Sequence, residues 1–345
     1  MNYVEAYDTV FIPINNTLNS FCYHLTVVQQ LHMSPTFNKL IHDYISGNVY
    51  IDTMLEPFKI YSDVNVSNRM EIHKRMRESY SKLINTVISE HGKNGYSPFI
   101  LLYFYILPIV YRCFPDQFKQ ICIEASIDPI FLKSPDVGTE YQISTSPLIK
   151  NEFIDEQKQM TKELTNAHIT FEKGPFKGCI LEVYPDKHSF DGGHALFLLK
   201  NKDIYYVFDD DTTLDLFKDY VNNRNDNVNR ICIRGIDDAT SDEIQQLWGG
   251  DILKHRVNNR YEYVNDRNNK RMVDVIKSFI TIHSIPTEEQ MMQMSGGSHV
   301  NEDKHTAGVI LLVLFVLLII ITVVVSIVKY ATKSTTLADS KNGDE

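Results

Sequence analysis

Apolar residues at Phe21, Leu25, Val28 and Leu31 recur at helical spacing, which predicts a helix over residues 21–32. Asn19 and Ser20 stand where its N-cap belongs. Over residues 68–91, Met70, Ile72, Met76, Leu83, Ile84 and Val87 alternate with charged groups, an amphipathic helix ending at Gly92. The run "SPFILLYFYILPIVYRCF", 97–114, is too short to span a membrane and is interrupted by Pro108. It reads as a buried helical hairpin, with a re-entrant membrane segment as the alternative.

From about residue 166 the period shortens to that of strands. "HITFEKGPFKGCILEVY" holds two β-rich runs around a Gly-Pro break, and "HALFLLKNKDIYYVFDDD" holds two more around a turn at "KNKD". "RICIRGI", 230–236, alternates as a further strand. The Asn-rich stretches 222–230 and 257–270 read as surface loops, Trp248 as a core or capping aromatic, and 271–280 as a last packed helix. Helices first and strands second make an α+β layout.

One segment lies outside that layout. Residues 307–328, "AGVILLVLFVLLIIITVVVSIV", are 22 residues without a charge. At 1.5 Å per residue they cover roughly 30 Å, which predicts a transmembrane helix. The expected organisation is a folded domain over 1–285, a tether over 286–305, a membrane span over 306–328 and a polar tail over 329–345. The start of the sequence lacks the charged and apolar regions of a secretory signal, so the expected orientation is tail-anchored with the large domain in the cytosol.

Composition narrows the partners. The 345 residues are 43% hydrophobic and 23% charged, with a net charge of −10. No overall basic field draws such a chain to nucleic acid. Five cysteines, at 22, 113, 122, 179 and 232, are scattered and never spaced as C-x-x-C, which argues against a disulfide framework or a structural zinc site. No metal or cofactor is expected.

Two stretches carry candidate chemistry. In "NNTLNSFCYHLTVVQQL", Cys22 falls at the first turn of the predicted helix, where the positive end of the dipole favours thiolate. A small buried hydrophobe is the competing reading. In "DGGHALFLLKNKDIYYVFDDD", His194 opens one strand and Asp209 closes its antiparallel partner, which brings a base and a carboxylate to one end of a hairpin. Gly192 and Gly193 leave room there for a substrate backbone.

Together these stretches resemble the Cys box and His box of the ubiquitin-specific proteases, papain-like cysteine peptidases. "PINNTLNSFCYHLTVVQQL" keeps the Cys22-Tyr23 pair with Gln29 and Leu31 at the family's offsets, and "GGHALFLLKNKDIYYVFDDDT" matches at Gly192, Gly193, His194, Phe208, Asp209 and Asp210. The resemblance implies a papain-like fold with a helical, thumb-like N-terminal half and an antiparallel, palm-like C-terminal half. It implies Cys22 as nucleophile, His194 as general base and Asp209 as the orienting carboxylate, with Asp210 as its alternative. Asn16 is the implied oxyanion-hole residue, with Asn15 and Asn19 as alternatives. Gly192, Gly193, Gln29 and Tyr23 are the implied substrate-binding positions.

The function that follows is a membrane-anchored deubiquitinase cleaving after the C-terminal glycine of ubiquitin or a ubiquitin-like modifier. A second expectation is a USP-like scaffold that binds ubiquitin without catalysis. It rests on Ala195, which stands where the family has tyrosine, on an additional residue before Cys22 and on the missing thumb motif. A papain-like peptidase with an unrelated peptide substrate is the third.

Overall fold

The computed structural model describes residues 4–6, 9–12, 21–65, 67–128, 147–170, 173–185, 188, 193–208, 228–250, 252–257 and 260–265. The expected membrane span, tether, tail and 271–280 helix lie outside them. Among the described residues no helix is long and apolar enough to cross a membrane.

The chain opens with a short hairpin, β1 (Val4–Ala6) and β2 (Thr9–Phe11). Helices follow: α1 (Cys22–His32), α2 (Pro35–Ile41), α3 (Val49–Ser62) and α4 (Arg69–Thr86). A long buried helical run comes next, as α5 (Pro98–Ile100), a π-helical segment Leu101–Ile106 and α6 (Leu107–Cys113). Two further helices, α7 (Phe118–Glu124) and α8 (Ile154–Asn166), complete this half. Then come β3 (Gly178–Tyr184), β4 (His194–Asn201), β5 (Ile204–Phe208), β6 (Arg230–Arg234), α9 (Asp238–Trp248), β7 (Ile252–Val257) and β8 (Arg260–Asn265). The fold is α+β, with an antiparallel sheet in the order β5-β4-β3-β6-β8-β7.

Four expectations change here. The run 97–114 is one helical rod and not a hairpin. Pro108 has no N–H to give the Phe104 carbonyl four residues earlier, and the helix widens into the π segment just before it. Gln157 and Thr161 of α8 donate to that carbonyl instead, the latter at 3.2 Å. Gln157 in turn accepts from the Tyr50 hydroxyl, so the defect in one helix is closed by a buried polar chain from two others. Secondly, α4 stops at Thr86 rather than Gly92, because Val87 to Ser89 leave the helix to bond with Leu148 and Lys150. Thirdly, residues 257–270 are not simply a loop. Tyr261 and Tyr263 of β8 are buried, and Trp248 meets Tyr263 edge-on at 4.8 Å. Lastly, of the two runs expected over 168–184, only Gly178–Tyr184 is a strand among the described residues.

The sheet is covered on both faces. One carries Leu181, Val183, Leu196, Leu198, Ile231, Ile233, Tyr261 and Tyr263, packed with Ile244 and Trp248 of α9. On the other, Ile180 and Ala195 join the core of the helical half. Farther along, Phe197, Leu199 and Phe208 pack with Met33 and Phe11.

α1 is the central element, and Leu25, Val27, Val28 and Leu31 are each at most 1% exposed. Burying each such side chain contributes roughly 1.5–3 kcal/mol. A helix enclosed this fully must satisfy its polar side chains internally. The Thr26 hydroxyl donates to the Cys22 carbonyl at 3.1 Å, Gln30 to the Ala125 carbonyl at 3.3 Å, and Tyr23 to the Gly92 carbonyl at 3.1 Å. His32 donates through Nε2 to the Val10 carbonyl at 2.9 Å, tying α1 to β2. α2 is fixed where α1 ends. Ser34 caps it by accepting from the Phe37 amide at 3.0 Å, and Glu124 receives the Ser34 and Thr36 hydroxyls.

Candidate functional site

Cys22 is the first residue of α1 and is half-buried against the helical core. The preceding Phe21 provides no side-chain cap, and the amides of the first turn point toward the helix end beside the thiol. The other four cysteines occupy different surroundings. Burial raises the thiols of Cys113, Cys122 and Cys179, and burial together with Glu262 pushes Cys232 up to about 12.

Packing sets the direction of α1. Its C-terminal neighbour Met33 crosses the sheet where β3 begins and β4 nears its end. A Cβ built on Gly178 would lie 2.6 Å from the Met33 sulfur and 3.0 Å from the Leu198 carbonyl. The body of α1 belongs to the core that takes in Ile180 and Ala195, whereas Met33 belongs with Phe197 and Leu199. α1 therefore runs alongside β4 in the same sense, and its N-terminus lies toward the end of β4 where Gly193 and His194 stand.

The strand alternation is less simple. Ala195 faces α1, while Leu196 and Leu198 face α9. His194 is paired with Val183, which also faces α9. By parity the imidazole starts on the side of the sheet away from Cys22, at the very end of its strand. The half-buried His194 reaches the α1 side only by turning about that end.

The hairpin that was to join His194 to Asp209 forms with a two-residue turn between Asn201 and Ile204. Its register sets Phe208 opposite Phe197, so the described end of β5 falls three residues short of His194. Asp209, Asp210, Gly192, Asn15, Asn16 and Asn19 lie outside the described residues.

Gly193 is exposed and sits on a ring. A Cβ there would come within 2.4 Å of Tyr184 Cε1, so only glycine fits without displacing Tyr184. The Tyr184 hydroxyl bonds to Glu182, whose carboxyl burial pushes up to about 7. Neither residue belonged to the expected site. Their signal is the alternation of "CILEVY", which sets a carboxylate and a phenol on the face of β3 that looks toward α1.

Two expected substrate-binding residues are internal. Tyr23 and Gln29 are each 1% exposed. Tyr23 is bonded to the Gly92 carbonyl, and Gln29 to the Tyr61 hydroxyl. The structure thus places both in the packing of α1 and away from any substrate surface, a correction to the expected roles. His24, two residues after Cys22, is fully buried among Phe21, Phe58 and Tyr80, with no hydrogen bond to either ring nitrogen. Burial holds its pKa down at about 3, so it is a neutral packing residue and not a second base. Among the described residues no group of His, Cys, Asp and Glu has the arrangement of a metal site. No family model, no curated protein and no solved structure matches this chain.

Proposed function

We propose that the chain is a membrane-anchored cysteine peptidase of papain-like, ubiquitin-specific type, hydrolysing the peptide or isopeptide bond after the C-terminal glycine of ubiquitin or a ubiquitin-like modifier. One observation carries the reading. A half-buried thiol begins a central helix whose N-terminus lies toward the strand end bearing Gly193 and His194. The paired Cys and His boxes supply the substrate class, and the apolar run at 306–328 supplies the membrane.

In this reading the Cys22 thiolate attacks the glycine carbonyl, and first-turn amides together with Asn16 hold the oxyanion. His194, oriented by Asp209, takes the thiol proton and gives it to the departing amine. Water then enters, His194 accepts its proton, and the thioester opens to carboxylate and free thiol. The exposed Gly193 gives the glycine tail a flat approach over Tyr184. Attachment to a membrane raises the effective concentration of the enzyme toward conjugates on the same surface.

The parity of His194 favours a second reading, a scaffold that binds ubiquitin without cleaving it. Full-length chain in mild detergent, exposed to ubiquitin bearing a C-terminal thiol-reactive group, separates the two. Labelling that disappears in Cys22→Ala and weakens in His194→Ala supports the peptidase. Reversible binding without labelling supports the scaffold, and neither labelling nor binding removes ubiquitin from both readings.

A further inference from the structure

On the α1 side of the sheet, beyond Tyr184 and Glu182, the alternation brings up Arg230, Cys232 and Arg234 from β6 and Arg260 and Glu262 from β8. Register sets Glu182 opposite Cys232 and Cys232 opposite Glu262, and in the neighbouring row Arg234 directly opposite Arg260. Two like charges in direct cross-strand positions repel. Arg260 has an ion pair with Glu262. Arg234 has none: among the described residues it makes no hydrogen bond or ion pair, and its half-buried guanidinium lies over the Phe99 ring at 4.9 Å. Burial and the neighbouring Arg260 both work against its charge. Glu182 compensates only in part, since burial drives its carboxyl toward the neutral form. A chain whose net charge is −10 thus keeps an excess of positive charge on a sheltered sheet face.

A planar guanidinium held against an aromatic ring, without a hydrogen-bond partner among the described residues, matches a carboxylate, which can accept two of its N–H groups side by side. We propose that Arg234, with Arg260 beside it and Phe99 behind it, binds the carboxylate of an acidic side chain in a peptide that reaches this half-buried corner of the sheet. The next two rows of the same face hold Glu182 and then Tyr184, the latter against Gly193, so the peptide is an acidic segment of the substrate. That identification rests on the peptidase reading, whereas the binding itself does not.

The test uses full-length Cys22→Ala in mild detergent and the fluorescence anisotropy of a labelled peptide alternating glycine and glutamate. The expected result is saturable binding that weakens as salt is raised. The glycine–glutamine counterpart should not bind, and Arg234→Gln should lose roughly tenfold in affinity or more, the worth of one charge-assisted contact. Equal affinity in Arg234→Gln overturns the proposal, as does binding of inorganic phosphate without binding of the peptide. If circular dichroism shows Arg234→Gln unfolded, Arg234→Lys decides, because loss of the planar fork should still weaken binding and an unchanged affinity rejects the site. Failure here leaves ubiquitin labelling of the wild type untouched, so the two readings stand or fall separately.

Discussion

Gln157 donates its amide to the carbonyl of Phe104, to which Pro108 has no N–H to give. The same side chain accepts from Tyr50. Gln157→Leu leaves that hydroxyl unsatisfied and Phe104 with Thr161 alone. The expected destabilisation is about 2–4 kcal/mol, from one or two buried polar groups losing a partner. Urea denaturation of wild type and variant measures it, and a loss under about 0.5 kcal/mol would show the network to be dispensable.

Gly193→Ala tests the close approach to Tyr184. The Tyr184 ring is also held by Arg230, whose guanidinium lies over it at 5.5 Å. The expected cost is roughly 1–3 kcal/mol, as for other insertions into a packed contact. Pairing the change with Tyr184→Ala should recover most of it. A double variant no more stable than Gly193→Ala plus Tyr184→Ala added together would place the strain elsewhere.

Acid should weaken the domain before its carboxylates titrate. Burial lowers His24 to about 3 and His32 to about 4, from an unfolded value near 6.5. The unfolded chain therefore binds more protons than the folded one across the interval between. Stability is complete above about pH 6.5 and falls as pH drops toward those folded values. His24→Leu, which also removes two unpaired nitrogens, should flatten the slope between pH 6.5 and 5 measured by urea denaturation. An unchanged slope would assign the effect to other groups.

Thiol reactivity should single out one cysteine. Cys122, Cys179 and Cys232 are at most 2% exposed, and burial raises their thiols as it does that of Cys113. Iodoacetamide at neutral pH should modify Cys22 first, at least about tenfold faster than the buried three, since only accessible thiolate reacts. Peptide mapping by mass spectrometry reads the order. Modification of Cys113 ahead of Cys22 would remove the special standing of the α1 terminus.

Much of this architecture is legible in the sequence. Phe21, Leu25, Val28 and Leu31 locate α1 to within a residue, and the "KNKD" turn locates the β4–β5 hairpin. What periodicity cannot supply is which buried surface a residue joins when every side of an element is buried. The sheet has a core on both faces, so alternation in "HALFLL" shows that His194 and Ala195 point opposite ways without showing which one meets α1. The asparagines flanking Tyr261 and Tyr263 disguise β8, whose identity comes from Trp248 and β6, not from its own composition. Pro108 was a visible helix breaker, yet Gln157 and Thr161, some 50 residues on, decide that the rod continues.

The contact between Met33 and Gly178 has a mechanical consequence. It fixes α1 at its C-terminal end and leaves Cys22 the helical residue farthest from that contact. At 1.5 Å per residue the separation is about 16 Å, so a tilt of roughly 5° about the Gly178 contact carries the thiol about 1.4 Å. A side chain grown at Gly178 would therefore be felt most at the far end of the helix, where the sulfur sits.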